Sequence, residues 1–394
     1  MKKQLQIFFS FLRFSIGSDK EIPPTLKEAD WEELYTIAQK QCLVGVLFDG
    51  IKRLPADVGM DKGLLFQWMA QNQTLRKANA RLDKAAVEVA EWFGRKGFRT
   101  CVLKGQGNAL LYPPGMERTP GDIDLWVDGG DRKVVSFVRS LSPDEKVCYH
   151  HIGFPEYNGV EVEVHFRPSF LFCFRHNRRL QGYYERVMDG QFAHRVKLGE
   201  QGDVAVPKAE FNLIFQLTHI FTHLMNEGIG LRQLLDYFFL LKNTNFIGNT
   251  DGVSGNTNGD GFLLNTDFTD NTDRIGGNAD GVDRRLLQDE LRRLGLWEFA
   301  GAVMYIMKEV FGLEDNRLIV PPDVKRGRLV LKEVLEAGNF GQYDKRNWFG
   351  HSVLGHNLQR LYRDMRLVRF FPAEALSEPF FRIWHFFWRK RIVR

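Results

Sequence analysis

Gly121-Asp122-Ile123-Asp124-Leu125-Trp126-Val127 is the stretch that decides how this chain folds. Polar and apolar residues alternate through it, the period of a half-buried strand, and Asp128-Gly129-Gly130 ends it. Residues i and i+2 of a strand project from one face. Ile123, Leu125 and Val127 therefore point to a core, while Asp122 and Asp124 stand together on the opposite side. Two like charges that close repel each other and call for a cation or a shared proton. Oxygen ligands at this spacing suit Mg²⁺, which keeps several waters and bridges carboxylates to phosphates. Mn²⁺ is the alternative ion.

The flanking stretches extend the pattern. Cys148 to Phe154 and Val160 to Phe166 read as two strands joined by a turn at Asn158-Gly159. Val160, Val162, Val164 and Phe166 form one face of the second strand, leaving Glu161, Glu163 and His165 on the other. If that strand lies beside residues 121–127, one of the two glutamates completes a three-carboxylate site of the kind used in two-metal catalysis. Upstream, a strand at Thr100 to Leu103 runs into Lys104-Gly105-Gln106-Gly107 and a brief helix. Glycine there lets backbone N–H groups approach a phosphate, with Lys104 adding charge. Arg118 offers a further phosphate contact. With a helix at Arg132 to Leu141, strands and helices alternate within ~70 residues as a compact α/β unit.

Outward from this unit the patterning is helical. Residues 1–97 form an N-terminal helical region, with Trp31, Leu34 and Ala38 spaced on one face and a long helix from Gly63 to Phe93. Residues 98–206 make the core unit. Residues 207–394 form a C-terminal helical region, interrupted at 243–283 by a low-complexity loop rich in Asn, Thr, Asp and Gly. In the helix after Pro207, His219 and His223 lie one turn apart. They read as helix–helix hydrogen-bonding groups, with the lining of an acceptor pocket or metal ligation as alternatives. Arg232 and Asp236 have the i, i+4 spacing of a helix salt bridge.

These residues resemble the polymerase-β-like nucleotidyltransferase superfamily. The resemblance is to a bacterial nucleotidyltransferase family with a Lys-Gly turn, then Arg-x-x-Gly-Asp-x-Asp-Leu, then Glu-x-His. Here those are Lys104-Gly105, Arg118-Thr-Pro-Gly121-Asp122-Ile-Asp124-Leu125 and Glu163-Val-His165. It implies an α+β fold: a polymerase-β-like core with a small mixed sheet, flanked by N- and C-terminal helical regions. It further implies transfer of a nucleoside monophosphate from an NTP, expected to be ATP, to an unidentified acceptor, with release of pyrophosphate. Asp122, Asp124 and Glu163 would bind the metal. Lys104, Gly105, Gln106, Arg118 and Gly121 would bind the nucleotide, and Glu163 or His165 would take the acceptor proton. Gly105-Gln106 stands where the wider superfamily usually has Gly-Ser or Gly-Gly. The competing reading is a catalytically silent nucleotide-binding or interaction protein.

Composition sets the outer bounds. The chain has 394 residues, 44% hydrophobic and 26% charged, which excludes wholesale disorder. Four dispersed cysteines without a CxxC pair argue against a disulfide scaffold and fit a reducing compartment. No run approaches the ~18 uninterrupted apolar residues of a membrane span. The first twenty residues read as an amphipathic helix of a cytoplasmic protein, since Arg13 breaks the apolar run and no small-residue cleavage site follows. The formal net charge of +5 hides an asymmetry. The 243–283 loop has seven aspartates and one arginine, whereas residues 324–394 hold fifteen Lys/Arg against six Asp/Glu. Arg360, Arg363, Arg366 and Arg369 form a basic stripe ahead of an aromatic, basic tail. Residues 360–394 thus suit contact with a membrane surface or nucleic acid, or packing of their aromatics on the body of the protein.

Overall fold

The computed structural model describes residues 3–55, 59–247, 281–346 and 353–393. It is a mixed α+β fold, 62% helical, with a small mixed sheet. Four helices lead in: α1 (Lys3–Ser15), α2 (Trp31–Lys40), α3 (Val44–Ile51) and α4 (Lys62–Arg95). Asp30 and Asp61 cap α2 and α4 by accepting backbone N–H groups of their first turns. The N-terminal amphipathic helix is part of the core, with Phe8, Phe11 and Leu12 fully buried.

The sheet follows: β1 (Thr100–Val102), the four-residue helix α5 (Gln106–Ala109), β2 (Ile123–Val127), α6 (Gly130–Leu141), β3 (His151–Tyr157) and β4 (Val160–His165). Its strand order is β1-β2-β4-β3. β2 runs antiparallel to β1 and parallel to β4, and β3 closes on β4 as a hairpin. The turn is at Asn158-Gly159, both at positive φ, as a tight hairpin requires. One sheet face carries Ile123, Leu125, Val127, Val160, Val162 and Val164, buried in a cluster with Val89 and Phe93 of α4 and Val134 and Val138 of α6. The other face carries the carboxylates, flanked by Trp126, which packs on Phe192 and Phe211.

Two elements are absent from the sequence reading. Helix α7 (Phe174–Ala193) supplies Phe192, and a second hairpin, β5 (Arg195–Leu198) and β6 (Gly202–Ala205), packs on the α4 side. The helix expected after Pro207 is two: α8 (Ala209–Asn226) and α9 (Leu231–Asn243). Both are almost entirely buried, which explains why their sequences are apolar on nearly every side. The 243–283 segment is not loop throughout. Phe246–Ile247 (β7) pairs in parallel with Val282–Asp283 (β8), pinning its two ends together; its stretch 248–280 lies outside the described residues.

The remainder is helical: α10 (Arg284–Leu294), α11 (Trp297–Glu309), α12 (Val324–Ala337), α13 (Val353–Leu367) and α14 (Pro372–Ile392). The basic stripe of α13 is not a free cationic face. Arg363 is buried beside Asp344, and Arg366 donates to Glu333, which also receives Arg346. Helix α14 divides its large apolar side chains. Phe381 is buried against Tyr149, Phe170 and Phe172, whereas Phe380, Ile383 and Phe387 are exposed. No described helix is long and apolar enough to cross a membrane.

Candidate nucleotidyltransferase site

The parallel register of β2 and β4 places Asp124 directly opposite Glu163 and Trp126 opposite His165. Asp122, just before β2, lines the same cavity as Asp124, so the acidic residues lie along the two central strands of the sheet. Lys104, at the end of β1, reaches into this group, its Nζ 2.9 Å from Asp124 Oδ1 and 3.1 Å from His219 Nε2. Burial and the neighbouring Asp124 and Glu163 raise the Asp122 carboxyl above the ordinary range. Burial acts the same way on Asp124, but Lys104 and His165 outweigh it and hold Asp124 well below that range.

His165 is 1% exposed. Its Nδ1 faces the backbone carbonyls of Arg167 and Pro168, both at 3.3 Å, and its Nε2 faces Asp124 Oδ1 at 2.9 Å and Glu163 Oε2 at 3.4 Å. Acceptors thus face both ring nitrogens, an arrangement that favours the protonated imidazole. Burial opposes that charge, but the hydrogen bonds to Asp124 and Glu163 prevail and push it up to about 9. His165, expected as a proton acceptor, thus lies between Asp124 and Glu163, within reach of an oxygen of each.

Arg118 also departs from expectation. Its Nε and Nη2 donate to the two carboxylate oxygens of Asp236, each at 2.8 Å, and Tyr112 Oη donates to the same Asp236 Oδ1 at 2.7 Å. The guanidinium fork is spent on a buried bidentate pair instead of standing free for phosphate. Asp236 thereby has a partner from far away in sequence, and the expected helix salt bridge to Arg232 does not form among the described residues. Gln106, expected to contact nucleotide, is buried, and its Oε1 has no hydrogen-bond partner. Its side chain lies outside the cavity.

A small cavity of ≈ 40 Å³ is lined by Lys104, Gly105, Arg118, Gly121, Asp122 and Asp124, by His219 of α8 and Arg232 of α9, and by Phe340 from the segment after α12, among others. Gly105 (φ +57°) adopts a backbone conformation that favours glycine, and α5 starts immediately after it. Thus His219 belongs to the site through Lys104, while His223 pairs with Glu227 one turn on. The sequence reading missed His150 and His151. His151 Nδ1 lies 3.2 Å from Glu163 Oε2 and 3.1 Å from His150 Nε2. Its signal was its register, since His151 pairs with His165 across the hairpin.

Asp122, Asp124 and Glu163 fit a divalent cation. They are hard oxygen donors, of which Asp124 and Glu163 lie together on the paired central strands and Asp122 lines the same cavity as Asp124. Ligand atoms of Asp124, Glu163 and His165 lie within 4.8 Å of one another, but His165 would ligate only after losing a proton.

The comparison with protein families assigns the fold that carries this site. Residues 27–252 match the family described as uncharacterised nucleotidyltransferase, and the chain belongs to that family. No curated protein matches the chain. Among solved structures it is similar to an antigenic nucleotidyltransferase-like protein from Paracoccidioides brasiliensis, at 15% identity and a TM-score of 0.28. That similarity covers 42% of this chain and 77% of the other.

Proposed function

We propose that this protein transfers a nucleoside monophosphate from an NTP, with ATP the expected donor, to a hydroxyl or other nucleophile, releasing pyrophosphate. The observation that supports this most is the register that sets Glu163 beside Asp124, with Asp122 two residues before it lining the same cavity. Asp122, Asp124 and Glu163 would hold Mg²⁺, or Mn²⁺ in its place. The bound ion would supply charge stabilisation for the phosphates and activation of the nucleophile.

The chain's own residues do the remaining work. Lys104 releases Asp124 and turns its ammonium to the incoming phosphates, beside the backbone of Gly105 and Gly121. His165, held as a cation, keeps Asp124 and Glu163 ionised and fixes their orientation. Glu163, the more open of this pair, takes the acceptor proton, with His151 against its Oε2 as the onward partner. A calorimetric screen of the four NTPs with Mg²⁺ tests this reading. At least one NTP is expected to bind, at least tenfold more weakly when EDTA removes the metal; failure of all four to bind contradicts it.

The exposed Phe380, Ile383 and Phe387 on α14, together with Lys390 and Arg391, favour a secondary role for the C-terminal helix as a peripheral contact with an anionic surface. The inward pairing of Arg363 and Arg366 takes those two residues out of such a contact.

A further inference from the structure

Arg232, the second residue of α9, is 7% exposed. A guanidinium does not shed its charge on burial, so it requires a counter-charge or a full set of acceptors. Arg232 has neither. Asp236, one turn on, is held by Arg118 and Tyr112. No carboxylate among the described residues lies within ion-pair distance of Arg232. Its Nη1 donates to the carbonyls of Thr119 and Pro120, both at 3.1 Å, and its Nε is buried with no partner. Two buried arginines thus compete for the hydrogen bonds of one aspartate, and Arg232 is left with only the unbonded attraction of Asp236 and Asp122.

That charge faces the site. Arg232 lines the same cavity as Lys104, Asp122 and Asp124. Its guanidinium lies against the loop before Asp122: a Cβ on Gly121 would be in van der Waals contact with Arg232 Nη1, at 3.5 Å. The ring of Phe340 covers the group, its centroid 5.7 Å from Cζ. Phe340 itself sits at φ +50° and ψ +31°, a backbone region costly for a non-glycine residue.

We infer that Arg232 is a phosphate receptor of this site, binding the β- and γ-phosphates that leave as pyrophosphate. This is the role that the sequence pattern offers to Arg118, which Asp236 has taken. The inference rests on the nucleotidyltransferase reading above. The planar guanidinium suits bidentate phosphate contact, and a polyphosphate anion is the missing counter-charge.

The test measures binding of the matched NTP, NMP and inorganic pyrophosphate, each with Mg²⁺, to wild type, Arg232→Met and Arg232→Lys. Arg232→Met is expected to bind NTP and pyrophosphate at least tenfold more weakly, with NMP binding within twofold of wild type. Arg232→Lys, which keeps the charge without the fork, should fall between, and it decides the matter if Arg232→Met does not fold. A merely structural arginine would weaken NMP and NTP alike, and that result overturns the assignment. So does NTP binding by folded variants within twofold of wild type. Wild type that binds no NTP overturns the nucleotidyltransferase reading together with this one, so the two failures are distinguishable.

Discussion

Asp124 and Glu163 are register partners on the parallel strands β2 and β4, and His165 Nε2 lies within 3.4 Å of an oxygen of each. This pairing separates the two glutamates of β4. Glu163 joins the acidic cluster, whereas Glu161, on the same strand face, is exposed. Glu163→Gln is expected to lower nucleotidyl transfer at least 100-fold, an effect of the size seen when one charge-stabilising group is removed. Glu161→Gln should stay within about twofold of wild type, no more than a surface change causes. Steady-state rates of the two variants, with circular dichroism to show that both fold, check this; equal losses contradict it.

Lys104 and a metal ion compete for the same carboxylate oxygen. The ammonium sits 2.9 Å from Asp124 Oδ1. Lys104→Met should therefore tighten Mn²⁺ binding by about fivefold, roughly 1 kcal/mol, by removing a rival cation. The same variant should bind NTP more weakly, because the lysine is no longer there to meet the phosphates. Mn²⁺ titration by electron paramagnetic resonance reads the first effect and calorimetry the second. Unchanged Mn²⁺ affinity would mean that Lys104 does not guard the site.

The Arg118–Asp236 pair is structural. Asp236→Asn removes the counter-charge of a buried guanidinium and leaves Arg118 and Arg232 without an anion between them. Breaking such a pair from one side costs about 3 kcal/mol. Tyr112→Phe, which loses one hydrogen bond to the same carboxylate, should cost about 1 kcal/mol. Urea unfolding distinguishes the two. Equal, small losses would show that the pair carries little of the stability around the cavity.

Asp364 on α13 and Glu378 on α14 are both buried, and Arg360 and Arg382 pair with Glu378. Burial and the facing Glu378 push the Asp364 carboxyl up to about 8. The folded protein thus keeps a proton that the unfolded chain loses near pH 4. Stability from this group is present at low pH and declines as pH rises through the window from about 4 to about 8. Asp364→Asn removes that decline. Its stability gain over wild type should grow across the window and level off above pH 8, at on the order of 2 kcal/mol. Thermal unfolding at pH 5, 7 and 9 checks this, and a gain independent of pH contradicts it.

Local pattern carried much of the architecture. Alternation revealed β2 and β4, Asn158-Gly159 the hairpin, and helical periodicity the faces of α2 and α4. The acidic cluster followed, because register on a strand is a period-two property visible in the chain itself. The choice of partners was not visible in this way. Asp236 has Arg232 at helical spacing, yet takes Arg118 from 118 residues away, where the geometry allows two parallel hydrogen bonds. The surroundings of His165 were not visible either, since the carbonyls of Arg167 and Pro168 at Nδ1 and the carboxylates of Asp124 and Glu163 at Nε2 meet only in the fold. His150 and His151 precede the expected catalytic strand and join Glu163 only through hairpin pairing. The short strands β5 and β6, bounded by Gly199 and Gly202, offer too few residues for their alternation to stand out.

Pyrophosphate release addresses the three-carboxylate site most directly. Wild type and the Asp122→Asn/Asp124→Asn double variant should be compared with Mg²⁺ and the NTP that binds best, using a small-molecule cell extract as the source of acceptors. Wild type is expected to release pyrophosphate in a metal-dependent manner, and the folded double variant at least 100-fold more slowly. Release by the double variant at the wild-type rate would contradict the assignment of Asp122 and Asp124 as the residues on which transfer depends.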